Sequence, residues 1–116
     1  MEQTIETKSF HFAVRIVKLY RALTESRREY VLSKQIMRSG TSIGANVAEA
    51  QQAQSRADFI AKLSIALKEA VETNYWLRLL HQTDYLEESE FQSLHQDCRE
   101  LEKILTAILK STKQCP

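Results

Sequence analysis

Apolar residues recur at helical spacing along almost the whole chain, and polar breaks at three places divide it into four segments. The pattern predicts helices over residues 9–25, 31–53, 56–83 and 88–112. In the last segment Phe91, Leu94, Cys98, Leu101, Ile104, Leu105, Ile108 and Leu109 share one stripe, opposite Gln96, Arg99, Lys103 and Lys110. That is the pattern of a helix burying one face in a bundle. In the first segment Phe10, Ala13, Ile16, Val17, Tyr20 and Leu23 are expected inward, with His11, Arg15, Lys18 and Ala22 outward. The breaks are short, and Ser55 ahead of Arg56-Ala57-Asp58 reads as an N-cap with an acid in the first turn. Short breaks join antiparallel neighbours. The expected fold is therefore all-α, an antiparallel up-and-down four-helix bundle occupying residues 1–116 as one domain.

The third segment departs from simple amphipathicity. Its inward stripe of Phe59, Leu63, Ala66, Leu67, Ala70 and Leu77 suffices for a core, yet Ala61, Ile65, Trp76 and Leu79 cluster on the opposite side. Exposing such residues forfeits burial worth about 25 cal/mol per Å² and invites aggregation. Glu69 and Glu72 border this outer stripe and are expected to meet donors on a partner. The pattern predicts self-association through the third helix, with Ala61, Ile65, Glu69, Glu72, Trp76 and Leu79 in the interface and Trp76 as anchor. The competing arrangement has a neighbouring helix of the same subunit covering the stripe.

Composition narrows the fold further. The chain has 2 Gly and 1 Pro in 116 residues, too little turn punctuation for β-sandwiches, barrels or nucleotide-binding α/β folds. Both glycines, Gly40 and Gly44, lie in the second segment, where each costs about 1 kcal/mol relative to Ala. Close approach of another helix is the expected compensation. A phosphate-binding loop would need G-x-x-x-x-G-K-[ST], which is absent. Ser39, Ser42 and Asn46 are placed to bond a neighbouring helix or their own i−4 carbonyls. Cys98 and Cys115 form no zinc or disulfide pattern. The acidic start of the chain and the lack of a long apolar run predict a cytoplasmic location without a membrane segment.

The stretch Arg38-Ser39-Gly40-Thr41-Ser42-Ile43-Gly44-Ala45-Asn46-Val47-Ala48-Glu49-Ala50 resembles the signature of the bacterial 23S rRNA intervening-sequence protein family, an R-x-x-x-S-I-x-x-N-[IV]-A-E-G run. Arg38, Ser42, Ile43, Asn46, Val47, Ala48 and Glu49 match in place, and residues 58–77 are similar to the family's third helix. Ala50 stands where the family usually has Gly, so the second helix is expected to run on there. The resemblance implies a four-helix bundle assembled as a homopentamer. It also implies kinship with the accessory variability determinant of diversity-generating retroelements, a basic pentameric barrel that binds nucleic acid and a reverse transcriptase.

The formal net charge is +1, but it conceals a gradient: residues 1–40 hold 8 Lys/Arg against 4 Asp/Glu, and residues 81–116 hold 4 against 7. Such a gradient serves a polyanion, pairing of subunits, or pairing of helices within one bundle. The candidate nucleic-acid contacts are Arg15, Lys18, Arg27, Arg28, Lys34 and Arg38, on the first two helices and their turn. They would read phosphate backbone rather than base sequence, because no base-reading motif is present. The chain carries no catalytic constellation. His11, His81 and His95 lack ligand spacing, and neither Ser42 nor Cys98 has a His at activating distance in sequence. The sequence thus predicts a non-enzyme without metal or cofactor, binding RNA or DNA, with a protein-binding scaffold as the alternative.

Overall fold

A computed structural model describes residues 4–114 as four helices in sequence order: α1 (Ile5–Glu25), α2 (Leu32–Ala50), α3 (Arg56–Gln82) and α4 (Glu88–Gln114). They form an antiparallel up-and-down bundle about 50 × 27 × 22 Å. Consecutive helices pack closely, whereas α1 touches α4 more sparsely.

The helix ends follow from local chemistry. α1 starts earlier than the apolar pattern suggests because Thr4 and Thr7 form a reciprocal capping box, Thr4 Oγ1 accepting from Thr7 N and Thr7 Oγ1 from Thr4 N. Ser55 caps α3, its Oγ accepting from Asp58 N at 3.0 Å, while Asp58 Oδ2 accepts from Gln54 N. α2 ends at Ala50 and does not run on through residue 53: Gln51, Gln52 and Ala53 fold into tight turns bonded to the carbonyls of Ala48, Glu49 and Ala50. The helix thus stops at this position without glycine.

The core runs the length of the bundle. It is built from Phe12, Ile16 and Leu23 of α1, Ile36, Ile43 and Val47 of α2, Leu63, Leu77 and Leu80 of α3, and Leu94, Leu101 and Leu105 of α4. The α4 stripe is the one its periodicity predicts, Ile104 and Ile108 lying at its edge. In α3 the buried line is Leu63, Ala66, Ala70, Thr73, Leu77 and Leu80, with Phe59 and Leu67 half-buried beside it.

α1 is rotated relative to expectation. Ser9, Phe12, Ile16, Leu19 and Leu23 face inward, and Phe10 is 66% exposed. The cause lies on α2. A Cβ at Gly40 would sit 2.8 Å from Ile16 Cγ1 and 2.9 Å from Cγ2, and one at Gly44 would sit 3.2 Å from the Ser9 carbonyl oxygen. The two glycines receive Ile16 and Ser9, and that fixes which side of α1 turns in. The expected close approach at Gly40 and Gly44 is therefore present, and α1 is the helix that makes it.

Buried polar groups are few and satisfied. Thr73 Oγ1 donates to Ser39 Oγ at 2.9 Å between α3 and α2, and Ser33 Oγ donates to the Glu29 carbonyl at 2.7 Å. Among the described residues no buried side-chain nitrogen or oxygen lacks a partner.

Gly40→Ala tests the α1–α2 contact. Ile16 is fully buried and stiff at Cβ, so it yields little, and overpacking of about 1–3 kcal/mol exceeds the roughly 1 kcal/mol of helix propensity gained. The expected result in urea denaturation is a net loss of about 1 kcal/mol, with an unchanged slope.

Candidate nucleic-acid interface

The six basic residues singled out in the sequence do not form one free patch. Arg15 Nη1 donates to Asp97 Oδ2 of α4 at 2.7 Å. Arg38 reaches across to α3, where Nη1 lies 3.1 Å from Glu69 Oε2 and Nη2 donates to Glu72. Glu72 also accepts from the Trp76 indole N–H at 2.9 Å. That indole bond and the Arg38 guanidinium hold the Glu72 carboxyl below the usual carboxylate range. Glu69 and Glu72 thus find a cation within the subunit. Lys8 likewise pairs with Glu100 at 2.9 Å, and Lys62 with Glu49 at 3.0 Å.

Lys18, Arg27, Arg28 and Lys34 stand differently, and Arg21 joins them. All five are exposed, along the C-terminal half of α1, the α1–α2 corner and the first turn of α2. Among the described residues none of the five makes an ion pair. Arg27 is oriented by backbone, donating to the Asp84 carbonyl at 3.1 Å and the Tyr85 carbonyl at 3.4 Å, with its guanidinium 4.8 Å from the Tyr85 ring centroid.

The corner is held by a residue the sequence reading passed over. Glu29, 9% exposed, accepts from the backbone N–H groups of Val31 (3.1 Å), Leu32 (2.9 Å) and Ser33 (2.7 Å), while its own N–H donates to the Leu23 carbonyl. α2 has no side-chain cap from Val31, its N-cap residue, so this carboxylate does the capping. Burial pushes the Glu29 carboxyl up, but the donors from Leu32, Ser33 and Val31 outweigh it and leave the value below normal. The signal was in the sequence: an acid three residues ahead of a helix that lacks Ser, Thr, Asp or Asn at its first position.

The residues expected at a subunit interface divide. Ala61 and Ile65 are exposed, Ile65 at 41%, and Val71 and Tyr75 extend the same outward side of α3. Trp76 and Leu79 are half-buried, Trp76 packing against its own core with its ring edge-on to Tyr75. A second apolar surface was not anticipated. It is a groove of about 510 Å³ between α1 and α2, lined by Phe10, Ala13, Thr41, Gly44, Ala45 and Ala48, with Glu6 and Gln51 at one end.

The histidines stand in two settings. His11 is exposed, but His81 and His95 sandwich Phe91, with ring centroids 4.1 and 5.0 Å away. His81 Nε2 lies 2.9 Å from Glu88 Oε1. His95 Nε2 lies 3.2 Å from Asn74 Oδ1, whose amide donates to Glu102, so that His95 nitrogen carries the hydrogen. Burial, and then the charge of Arg99, push His95 below the ordinary imidazole value, with Glu102 opposing and Arg78 adding. Cys98 is buried, and its thiol is pushed up to about 12, chiefly by desolvation. No group of three or more His, Cys, Asp or Glu among the described residues could hold a metal ion, and no described helix is long and apolar enough to cross a membrane.

The motif residues prove to be structural staples. Ile43 is fully buried, Ser42 Oγ donates to the Arg38 carbonyl at 2.7 Å, and Asn46 Nδ2 donates to the Ser42 carbonyl at 2.9 Å. Arg38 and Glu49 tie α2 to α3, the first through Glu69 and Glu72 and the second through Lys62. Residues 1–107 match the family model described as 23S rRNA-intervening sequence protein. The chain belongs to that family. A solved structure similar to this intervening-sequence family member is the crystal structure of a protein with unknown function from the S23 ribosomal protein family of Bacteroides thetaiotaomicron VPI-5482. It is 57% identical, covers 92% of this chain and 99% of that one, and superposes with a TM-score of 0.91. No curated protein matches the chain.

Glu29→Gln is expected to lower stability at neutral pH by about 1–3 kcal/mol, the worth of charge-assisted bonds to backbone donors. Because the folded value is depressed, this stabilisation is complete above 4.5, the ordinary carboxyl value, and is lost as pH falls through the folded value. Urea titrations of the two proteins should therefore differ at pH 7 and converge in acid.

Proposed function

We propose that this protein is a non-enzymatic, self-associating four-helix bundle that binds RNA or DNA through the basic corner where α1 passes into α2. The observation that carries this reading is the uneven use of positive charge. On α1 and α2, Lys8, Arg15 and Arg38 are neutralised within the bundle, whereas Lys18, Arg21, Arg27, Arg28 and Lys34, within 17 residues of chain, are exposed and without an ion pair among the described residues; the other exposed cations without one are spread over α3 and α4. Cations left together on one region of a nearly neutral chain suit a polyanion. One protomer's set is small, and repeating it by symmetry raises avidity and salt dependence together.

Two unlike apolar surfaces favour assembly: the Phe10 groove at the α1–α2 seam, and the outward side of α3 with Ile65, Val71 and Tyr75. They lie on different flanks of the bundle. Unlike faces pair head to tail, and a head-to-tail contact that closes gives a ring. Five copies is the number the family resemblance implies. The groove around Phe10 favours a second reading, a scaffold that docks a protein and has no nucleic-acid role. The buried, high-pKa Cys98 thiol and the stacked histidines favour a non-catalytic role.

Anisotropy with labelled RNA and DNA separates the two readings. Binding is expected at about 50 mM salt and should fall steeply by about 200 mM. Lys18→Glu combined with Lys34→Glu should weaken it at least about tenfold, whereas absence of binding by the unaltered protein at low salt would leave the scaffold reading.

Light scattering tests assembly independently. A multimeric mass is expected, reduced by Phe10→Glu or Ile65→Glu; the mass of one subunit would overturn it.

A further inference from the structure

We infer that Tyr30 is a stacking platform for an unpaired base, so that the nucleic acid held at the α1–α2 corner is single-stranded. This rests on the proposed nucleic-acid role and gives it a substrate class. Tyr30 is 56% exposed and Val31 beside it 70%, in a short connection where polar residues would ordinarily stand.

Their exposure is built into the corner. Arg28 sits in the left-handed region at φ 53°, which redirects the chain. Glu29 on one side of Tyr30 is tied to the Leu23 carbonyl through its N–H and to three backbone donors through its carboxylate, and Val31 on the other is one of those donors. Tyr30 is thus carried on a fixed backbone and turned to solvent. A rigid aromatic loses little freedom when a base stacks on it, and stacking accepts any base because each has a π-face.

The charges beside it match such a ligand. Arg28 and Lys34 flank Tyr30 in sequence, exposed and without ion pairs among the described residues, and Arg27 is fixed against the α3–α4 turn. Glu29 already occupies the N-terminal amides of α2, so phosphate cannot bind there and must be held by side chains. The neighbouring α3–α4 turn carries Asp84 and Glu87, and Glu88 opens α4, which confines a strand to the α1–α2 side. A duplex keeps its base faces stacked inside and offers Tyr30 nothing to cover. An unpaired strand offers a phosphate backbone to Arg28 and Lys34 and a base face to Tyr30.

The test is anisotropy with a labelled oligonucleotide of about 12 unpaired nucleotides and with a duplex of the same length, alongside light scattering of each variant. Tyr30→Ala should weaken the single strand about tenfold or more, leave the duplex unchanged and preserve the salt slope; Tyr30→Phe should bind as the original. Lys34→Gln should instead reduce the salt slope by about 0.7. Unchanged single-strand affinity in Tyr30→Ala overturns the stacking role while leaving the basic corner intact. Equal loss for strand and duplex, or loss of assembly with it, makes Tyr30 a structural or subunit contact and also overturns it. Failure of the unaltered protein to bind either nucleic acid removes this inference together with the reading it rests on.

Discussion

Where Gly40 meets Ile16 and Gly44 meets the Ser9 carbonyl, α1 and α2 approach so closely that a Cβ would overlap Ile16 at the first position and crowd the carbonyl at the second, and this contact governs the bundle. It selects the rotation of α1, because only one line of that helix can lie against two bare Cα positions. Ser9, Phe12, Ile16, Leu19 and Leu23 then complete the core, and Phe10 is turned out over the α1–α2 seam. The two glycines cost helix propensity and create the contact that offsets it. The same contact leaves an apolar groove on the surface, so a feature of internal packing also shapes what a second molecule would meet.

The charge gradient along the chain is explained in two parts. Basic residues of α1 and acidic residues of α4 pair across the sparsely packed seam, Lys8 with Glu100 and Arg15 with Asp97. Arg38 holds two acids of α3, and Glu49 of α2 holds Lys62 of α3. Exposed pairs of this kind contribute little stability each, about 0–1 kcal/mol, but they discriminate one helix neighbour from another. Among the described residues without an ion pair, Lys18, Arg21, Arg27, Arg28 and Lys34 run from α1 through the corner to the first turn of α2, while Lys68, Arg78, Arg99, Lys103, Lys110 and Lys113 lie on α3 and α4. What sets the corner apart is spacing along the chain: five of these cations fall within residues 18–34.

The fold was legible because its determinants are local and repetitive. The α4 stripe, the Ser55 cap and the need for close packing at Gly40 and Gly44 could each be read from residue type and spacing. The rotation of α1 could not. Its apolar residues cover more than one side, so periodicity alone allowed Phe10 inward, and the choice was made by α2. The fate of Glu69 and Glu72 was hidden for a related reason: a helical wheel places them at the edge of an outer stripe but cannot show that Arg38 of another helix reaches them. Tyr30 and Glu29 escaped because they lie between periodic segments, where the wheel says nothing and backbone geometry decides.

Glu29 links the stability of the bundle to the character of its corner. The N-terminus of α2 would otherwise present free amides and a partial positive charge, a general attraction for phosphate. The carboxylate removes that attraction and fixes the turn. On the proposed function, binding at this corner would then come from long cations, of which Arg27 is held by backbone carbonyls, and from one exposed ring. Such cations give affinity that fades with salt and carries little sequence information, while the ring adds a contact that salt does not screen. On the proposed function, a surface of that composition would distinguish nucleic acids by whether a base face is available rather than by which base it is. The positional precision the corner does have comes from the same buried acid that ends the connection and begins the helix.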